Sequence, residues 1–162
     1  RIFILSLDDN LRVIRDFVIM MAYTGLRFED FMTLTKDNLE EHRGKLQIRK
    51  VQSKTKNLVV IPIKPIVKDL IDKYDGFPPR VSNQYFNRRI KTVCQLAGVK
   101  EWEKVTAHTL RRTFATNGYL AQIPTIELMK ITGHQTESEF LRYIRIGKQE
   151  AADKMSEHPF FN

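Results

Sequence analysis

The sequence predicts an α+β chain, mostly helical with a small antiparallel β-sheet, and three observations carry that expectation. Apolar residues recur at three- and four-residue spacing through most of the chain, two short β-rich runs flank a polar turn, and Gly or Pro punctuates the joints.

Each element follows from its own residues. Leu11, Ile14, Phe17, Val18, Met21 and Ala22 share one helical face, with Ser6, Asp8 and Asp9 offering N-terminal oxygens and Gly25 a stop. Phe28, Phe31, Met32 and Leu34 read as a short second helix that begins near Arg27 and ends before the polar segment 35–38. Residues 45–52 and 58–63 are β-rich, and the polar stretch 53–57 suits a hairpin turn with Lys54 and Lys56 at its tip. A helical pattern returns over Pro65–Tyr74, and Pro78-Pro79 marks a loop. Phe86, Ile90, Val93 and Ala97 define a helix stopped by Gly98 that carries Arg88, Arg89 and Lys91. From Thr106 the chain is helical through Leu110, Phe114 and Tyr119, and a helix over 124–131 is ended by Gly133. Thr136-Glu137-Ser138-Glu139 is a capping box opening a helix with Phe140, Leu141, Tyr143 and Ile144. Residues 148–162 hold a helical stretch and an apolar end at Phe160 and Phe161.

A chain of 162 residues is bounded to one compact unit, or one unit with a tail. With 42% hydrophobic and 28% charged residues it has the composition of a globular domain. No run approaches the roughly 20 apolar residues of a membrane span. Asp8 and Asp9 come too early for a signal peptide, so secretion is not expected. A lone cysteine, Cys94, excludes an internal disulfide and fits a reducing compartment. Lys plus Arg number 27 against 19 Asp plus Glu, a formal +8 that favours a polyanionic partner, nucleic acid before an anionic membrane surface. There is no CxxC, HExxH, GxxxxGK[ST], GxGxxG or GxSxG, so neither a metal nor a cofactor is expected.

Two segments concentrate cationic and proton-transfer groups. In His108-Thr109-Leu110-Arg111 the histidine and arginine lie three residues apart on one helical face, spaced to grip a phosphate or to sit in a surface ion pair. His134 follows the stop glycine Gly133, where it either turns away from the helix body or merely caps its negative end. Tyr143, beside Phe140 and Ile144, reads as core when taken alone.

Taken in order, Thr24-Gly25-Leu26-Arg27, Lys54, His108-x-x-Arg111, Gly133-His134 and Tyr143 resemble the catalytic domain of the tyrosine recombinases, a family of phage and conjugative-transposon integrases and dimer-resolving recombinases. The strings Gln52-Ser53-Lys54-Thr55-Lys56 and His108 through Thr116 resemble it most. The resemblance implies a catalytic domain over residues 1–146 and a helical tail over 147–162 that docks on a neighbouring protomer. It implies site-specific cutting and rejoining of double-stranded DNA through a 3′-phosphotyrosyl ester, without nucleotide or metal. By the same resemblance Arg27 and Arg111 clamp the phosphate, Lys54 protonates the leaving 5′-oxygen, and Lys56 competes with it for that role. His108 assists proton transfer, His134 bonds a nonbridging oxygen, and Tyr143 is the nucleophile. Tyr23, Tyr74, Tyr85 and Tyr119 lack such a neighbourhood in sequence. Either Asp30 or Glu29 orients the clamp, and Arg112 stands where the family often has histidine.

Three further expectations follow from the resemblance: a bacterial, cytoplasmic setting on DNA, a tetramer for the full-length protein, and further N-terminal domains beyond this piece. DNA phosphates would be met by Lys56, Arg88, Arg89, Lys91, Arg142 and Arg145, whose bland role is a solvated face. Two other readings stand beside recombination: relaxation of the type IB topoisomerase kind, and a basic domain that binds DNA without cutting it.

Overall fold

The computed structural model describes Ile2 and residues 7–161. Ser6 of the expected first cap lies outside the described residues; Asp8 does the capping, its carboxylate accepting the Leu11 N–H at 2.8 Å. Helix α1 (Asp9–Thr24) buries Leu11, Ile14, Phe17, Val18 and Met21, the stripe its spacing predicts. It stops at Gly25, which has a φ of 65° and donates its N–H to the Met21 carbonyl. Helix α2 (Phe28–Met32) follows directly.

A short 3-10 turn (Lys36–Asn38) leads into three antiparallel strands, β1 (Leu39–His42), β2 (Lys45–Val51) and β3 (Leu58–Pro62), in the order β1-β2-β3. Leu39 lies opposite Ile48, and Ile48 opposite Ile61, so one face of the sheet carries the buried Ile48, Val59 and Ile61. Strand β1 corrects the sequence reading, which left these residues unassigned. Its Leu-Glu-Glu-His has no apolar alternation, and it is held at the sheet edge by its ladder to β2 and a two-residue turn, Arg43-Gly44, with φ of 51° and 72°.

The remaining helices fall close to expectation: α3 (Pro65–Tyr74), α4 (Asn83–Leu96), α5 (Ala107–Leu120), α6 (Thr125–Thr132), α7 (Glu137–Ile144) and α8 (Lys148–Ser156). The main core joins α1, α2, the sheet, α3 and α4, with Phe17 meeting Phe31 and Phe86 edge-on at 5.8 and 5.9 Å. A smaller core of Ala115, Leu128, Phe140 and Ile144 binds α5, α6 and α7 together, and Phe114 packs against both. Burying a side chain such as Phe140 contributes about 1.5–3 kcal/mol, enough to fix the face that α7 presents. Helix α8 buries no residue, and Phe160 and Phe161 are 81% and 60% exposed.

Candidate active site

Helix ends and one hairpin tip deliver the candidate side chains to a single cleft. The turn at Gly25 makes Arg27 the residue before α2, where its side chain caps nothing; one of its terminal nitrogens, Nη1, is buried without a partner. The other, Nη2, reaches Gly133, where a Cβ would lie 3.8 Å from it. Helix α5 opens with the Thr106 N–H donating to Thr109 Oγ1 at 3.1 Å, which sets His108 in the first turn and Arg111 one turn on. Arg111 is only 4% exposed. Its Nη1 donates to the Gly25 carbonyl and its Nη2 to the carbonyls of Thr132 and Ile131. Among the described residues neither His108 nor Arg111 is ion-paired to a carboxylate, so the surface-pair reading of that segment does not hold.

Both guanidinium groups therefore converge on the last turn of α6, whose carbonyls form the negative end of the helix dipole and offset the crowding of two cations. Gly133 ends that helix with a φ of 74°, and His134 follows, its Nδ1 2.9 Å from Thr132 Oγ1. The capping box of α7 forms as its sequence predicts: the Glu139 N–H donates to Thr136 Oγ1 at 3.2 Å and the Thr136 N–H to Glu139 Oε2 at 3.3 Å. Phe140 and Ile144 are anchored in the smaller core, and Tyr143, partly buried against it, lines the cleft. Its ring lies 4.7 Å from His134 and 5.5 Å, edge-on, from His108, with the Arg112 guanidinium 6.0 Å above it. The Tyr143 hydroxyl is buried and has no hydrogen-bond partner.

The hairpin adds the last candidate. Lys54 is exposed at the tip and lines the cleft, whereas Lys56, also exposed, does not. Asp30 is buried and accepts the Ser53 N–H at 2.7 Å, while Glu29 is exposed on the cleft wall, so of the two acids it is Asp30 that holds the hairpin. Arg27, Lys54, His108, Arg111, His134 and Tyr143 all line this cleft of about 660 Å³, along with Asn83, Asn87 and Thr132.

Burial chiefly, and then Arg112, Arg111 and Arg27, hold His108 below the usual histidine value. His134 is lowered by burial first and then by Arg111. Both shifts favour the neutral imidazole. Tyr143 is raised: burial outweighs the pull of Arg111, Arg112 and Arg27 toward phenolate. Arg111 is brought down to about 10 by burial and by Arg27 beside it, which leaves it charged at neutral pH.

Sequence reasoning missed several residues that build the site. Gln52, 1% exposed, donates from Nε2 to the Ile131 carbonyl at 3.1 Å. Asn87 accepts the Ala107 N–H at 2.8 Å, joining α4 to the turn that presents His108. A signal for Gln52 existed, since it falls on the same alternating face as the buried Ile48. Arg88, Arg89, Lys91, Arg142 and Arg145 lie outside the cleft lining, and none is ion-paired among the described residues. The other tyrosines serve elsewhere; Tyr74, for one, donates to Asp16. No group of three His, Cys, Asp or Glu is placed to hold a metal ion among the described residues, and no helix there is long and apolar enough to cross a membrane.

Comparison with known proteins follows the same lines. Tyrosine recombinase XerC of Rickettsia typhi (strain ATCC VR-144 / Wilmington) is 25% identical over 144 residues, which cover 78% of this chain and 45% of that protein. The chain spans about half the length of the curated relatives it matches. Among solved structures, XerH site-specific recombinase bound to palindromic difH substrate superposes with a TM-score of 0.75 at 18% identity, covering 96% of this chain and 49% of that one. XerA recombinase gives 0.71 at 20%, covering 96% and 65%, and a lambda integrase (75-356) dimer bound to a COC′ core site gives 0.66 at 18%, covering 85% and 53%. These likenesses share the fold of α-helices around a small sheet described above. The model of the "Phage integrase family" matches residues 8–150, from the cap of α1 into α8, and on that match the chain belongs to the phage integrase family.

Proposed function

We propose that this chain is the catalytic part of a site-specific DNA recombinase that cuts and rejoins strands through a 3′-phosphotyrosyl ester on Tyr143. One observation carries the reading: candidates from both ends of the chain and the hairpin tip line one cationic cleft, with the Tyr143 ring in contact with both His108 and His134. The Tyr143 oxygen attacks the scissile phosphorus and its proton passes to His108. The bond from phosphorus to the 5′-oxygen breaks, and that oxygen takes a proton from the Lys54 ammonium, a transfer a guanidinium cannot make at this pH. Arg27 and Arg111 bind the nonbridging oxygens, where charge builds in the transition state. With Nδ1 accepting the Thr132 hydroxyl hydrogen, His134 Nε2 carries the N–H that joins them. Attack by a second 5′-hydroxyl reverses the sequence on a new strand. One phosphoester replaces another at each step, so no nucleotide is consumed.

The relatives bound to DNA in their solved complexes, XerH with difH substrate and lambda integrase with a COC′ core site, support double-stranded DNA as the substrate here. Lys56, Arg88, Arg89, Lys91, Arg142 and Arg145 extend the phosphate contacts beyond the cleft. Residues 1–146 form the catalytic domain, and 147–162 dock on a neighbouring protomer within a tetramer of the longer protein on DNA. The exposure of Met155, Phe160 and Phe161 supports that last assignment.

Host DNA incubated with the protein, trapped in denaturing detergent and sequenced, yields the crossover site. A duplex of that site, nicked so that the product strand diffuses away, then gives a covalent adduct with the native chain and none with Tyr143→Phe. An adduct on Tyr143→Phe removes Tyr143 as the nucleophile.

A further inference from the structure

We infer that Gln52 is a positioning residue that holds the Lys54 hairpin in register with the arginine clamp, and so sets where the proton for the leaving 5′-oxygen arrives. The inference rests on the reading of Lys54 as that proton donor.

Lys54 sits in a polar turn, residues 53–57, and most of that turn is exposed. Its side chain has no hydrogen bond among the described residues, and a lysine stem carries about 2 kcal/mol of rotamer entropy, so the turn's backbone must supply the aim. Gln52 fixes that backbone from inside. Its N–H donates to the Asn57 carbonyl and its own carbonyl accepts the Lys56 N–H, both at 2.9 Å, which closes the turn. Its side-chain Oε1 accepts the Thr55 hydroxyl at 2.8 Å from within the turn. Its Nε2 donates outward to the Ile131 carbonyl at 3.1 Å, across 79 residues of sequence.

That carbonyl is the informative partner. Arg111 Nη2 reaches the same Ile131 oxygen at 3.5 Å and bonds the next one, of Thr132. The last turn of α6 is thus a common reference for the group that donates the proton and the group that holds the phosphate. Asp30, on the Ser53 N–H, gives the turn a second tether from α2. A buried carboxamide is costly unless its polar atoms are paired, and here both ends are. An apolar side chain of equal size would fill the space and leave Thr55 and Ile131 without these bonds. Misplacing a reacting group by about 1 Å costs on the order of 100-fold, so such a loss would reach the chemistry.

The test uses the nicked crossover duplex in two forms, with oxygen or with sulfur as the bridging 5′ atom. A thiol has a pKa of about 8.5, so sulfur leaves as thiolate and needs no donated proton. Gln52→Met keeps the side-chain size and removes both side-chain hydrogen bonds. It is expected to cleave the oxygen substrate on the order of 10- to 100-fold more slowly and to regain the native rate on sulfur, as Lys54→Ala does. Arg111→Ala is expected to stay impaired on both. Gln52→Met at the native rate on oxygen, or still impaired on sulfur while Lys54→Ala recovers, overturns the inference. If Lys54→Ala itself fails to recover on sulfur, the proton-donor assignment falls first, and the two failures are told apart. Should melting show Gln52→Met to be unfolded, Gln52→Glu, which keeps the acceptor for Thr55 but loses the donor to Ile131, is judged by the same comparison.

Discussion

His108 and Tyr143 touch edge to ring with their titrations displaced in opposite directions, the histidine down and the phenol up. The proposed proton transfer from Tyr143 to His108 needs the imidazole neutral. Because its folded value lies below 6.5, adduct formation stays level at neutral pH and falls only as the pH drops below that point. Initial rates on the nicked duplex between about pH 5 and 8 read this limb, and in His108→Gln the rate is slower and only the share of the limb that His134 contributes remains. The six cleft residues were legible in the sequence through their resemblance, in type and order, to the tyrosine recombinase catalytic domain; taken alone, Tyr143 reads as core. The roles of Gln52 and Thr132 were not legible, although alternation with Ile48 signals the burial of Gln52. Their roles exist only through partners brought together by folding, in the way Arg111 meets the Gly25 carbonyl from 86 residues away.

At the scale of elements, the site is built from places where helices stop. Gly25 is required twice over: its φ of 65° disfavours any Cβ, and a Cβ there would fall 2.3 Å from the Phe114 ring. Gly25→Ala is expected to cost about 1–3 kcal/mol in chemical denaturation. Gly44→Ala, at a φ of 72° with nothing within 4 Å, carries the conformational share alone and so costs less. Phe114→Leu added to Gly25→Ala should recover part of the difference. A second joint lies outside the cleft lining, where the buried Asp16 of α1 accepts from Lys73 at 2.5 Å and Tyr74 at 2.7 Å on α3, and from neighbouring Arg15. Burial alone would raise Asp16, but bonds from Lys73, Tyr74 and Arg15 prevail and hold it below 3.8. A lowered folded value adds stability that is present above 3.8 and vanishes as the pH falls through that folded value. Asp16→Asn should therefore cost about 1–3 kcal/mol at pH 7 and progressively less in acid, as urea midpoints would record. Helices α3, α6 and α7 were legible from period, Pro, Gly and cap residues. Strand β1 was hidden because its ladder partner, and not its own side chains, makes it a strand.

For the whole molecule, two cores divide the labour. The larger one carries Arg27 and the hairpin, the smaller one seats the helix of Tyr143, and α5 with its Arg111 runs between them. The formal +8 charge named a polyanion but could not place the contacts, since charge counts carry no geometry. That the phenol and both guanidinium groups line one cleft of one chain has a consequence for mixed populations. Two crippled variants, Tyr143→Phe and Arg111→Ala, combined in equal amounts on the same duplex, should be as inert together as each is apart. Each copy would then cut only with its own complete set of tools, and no division of the work between neighbours would revive the pair.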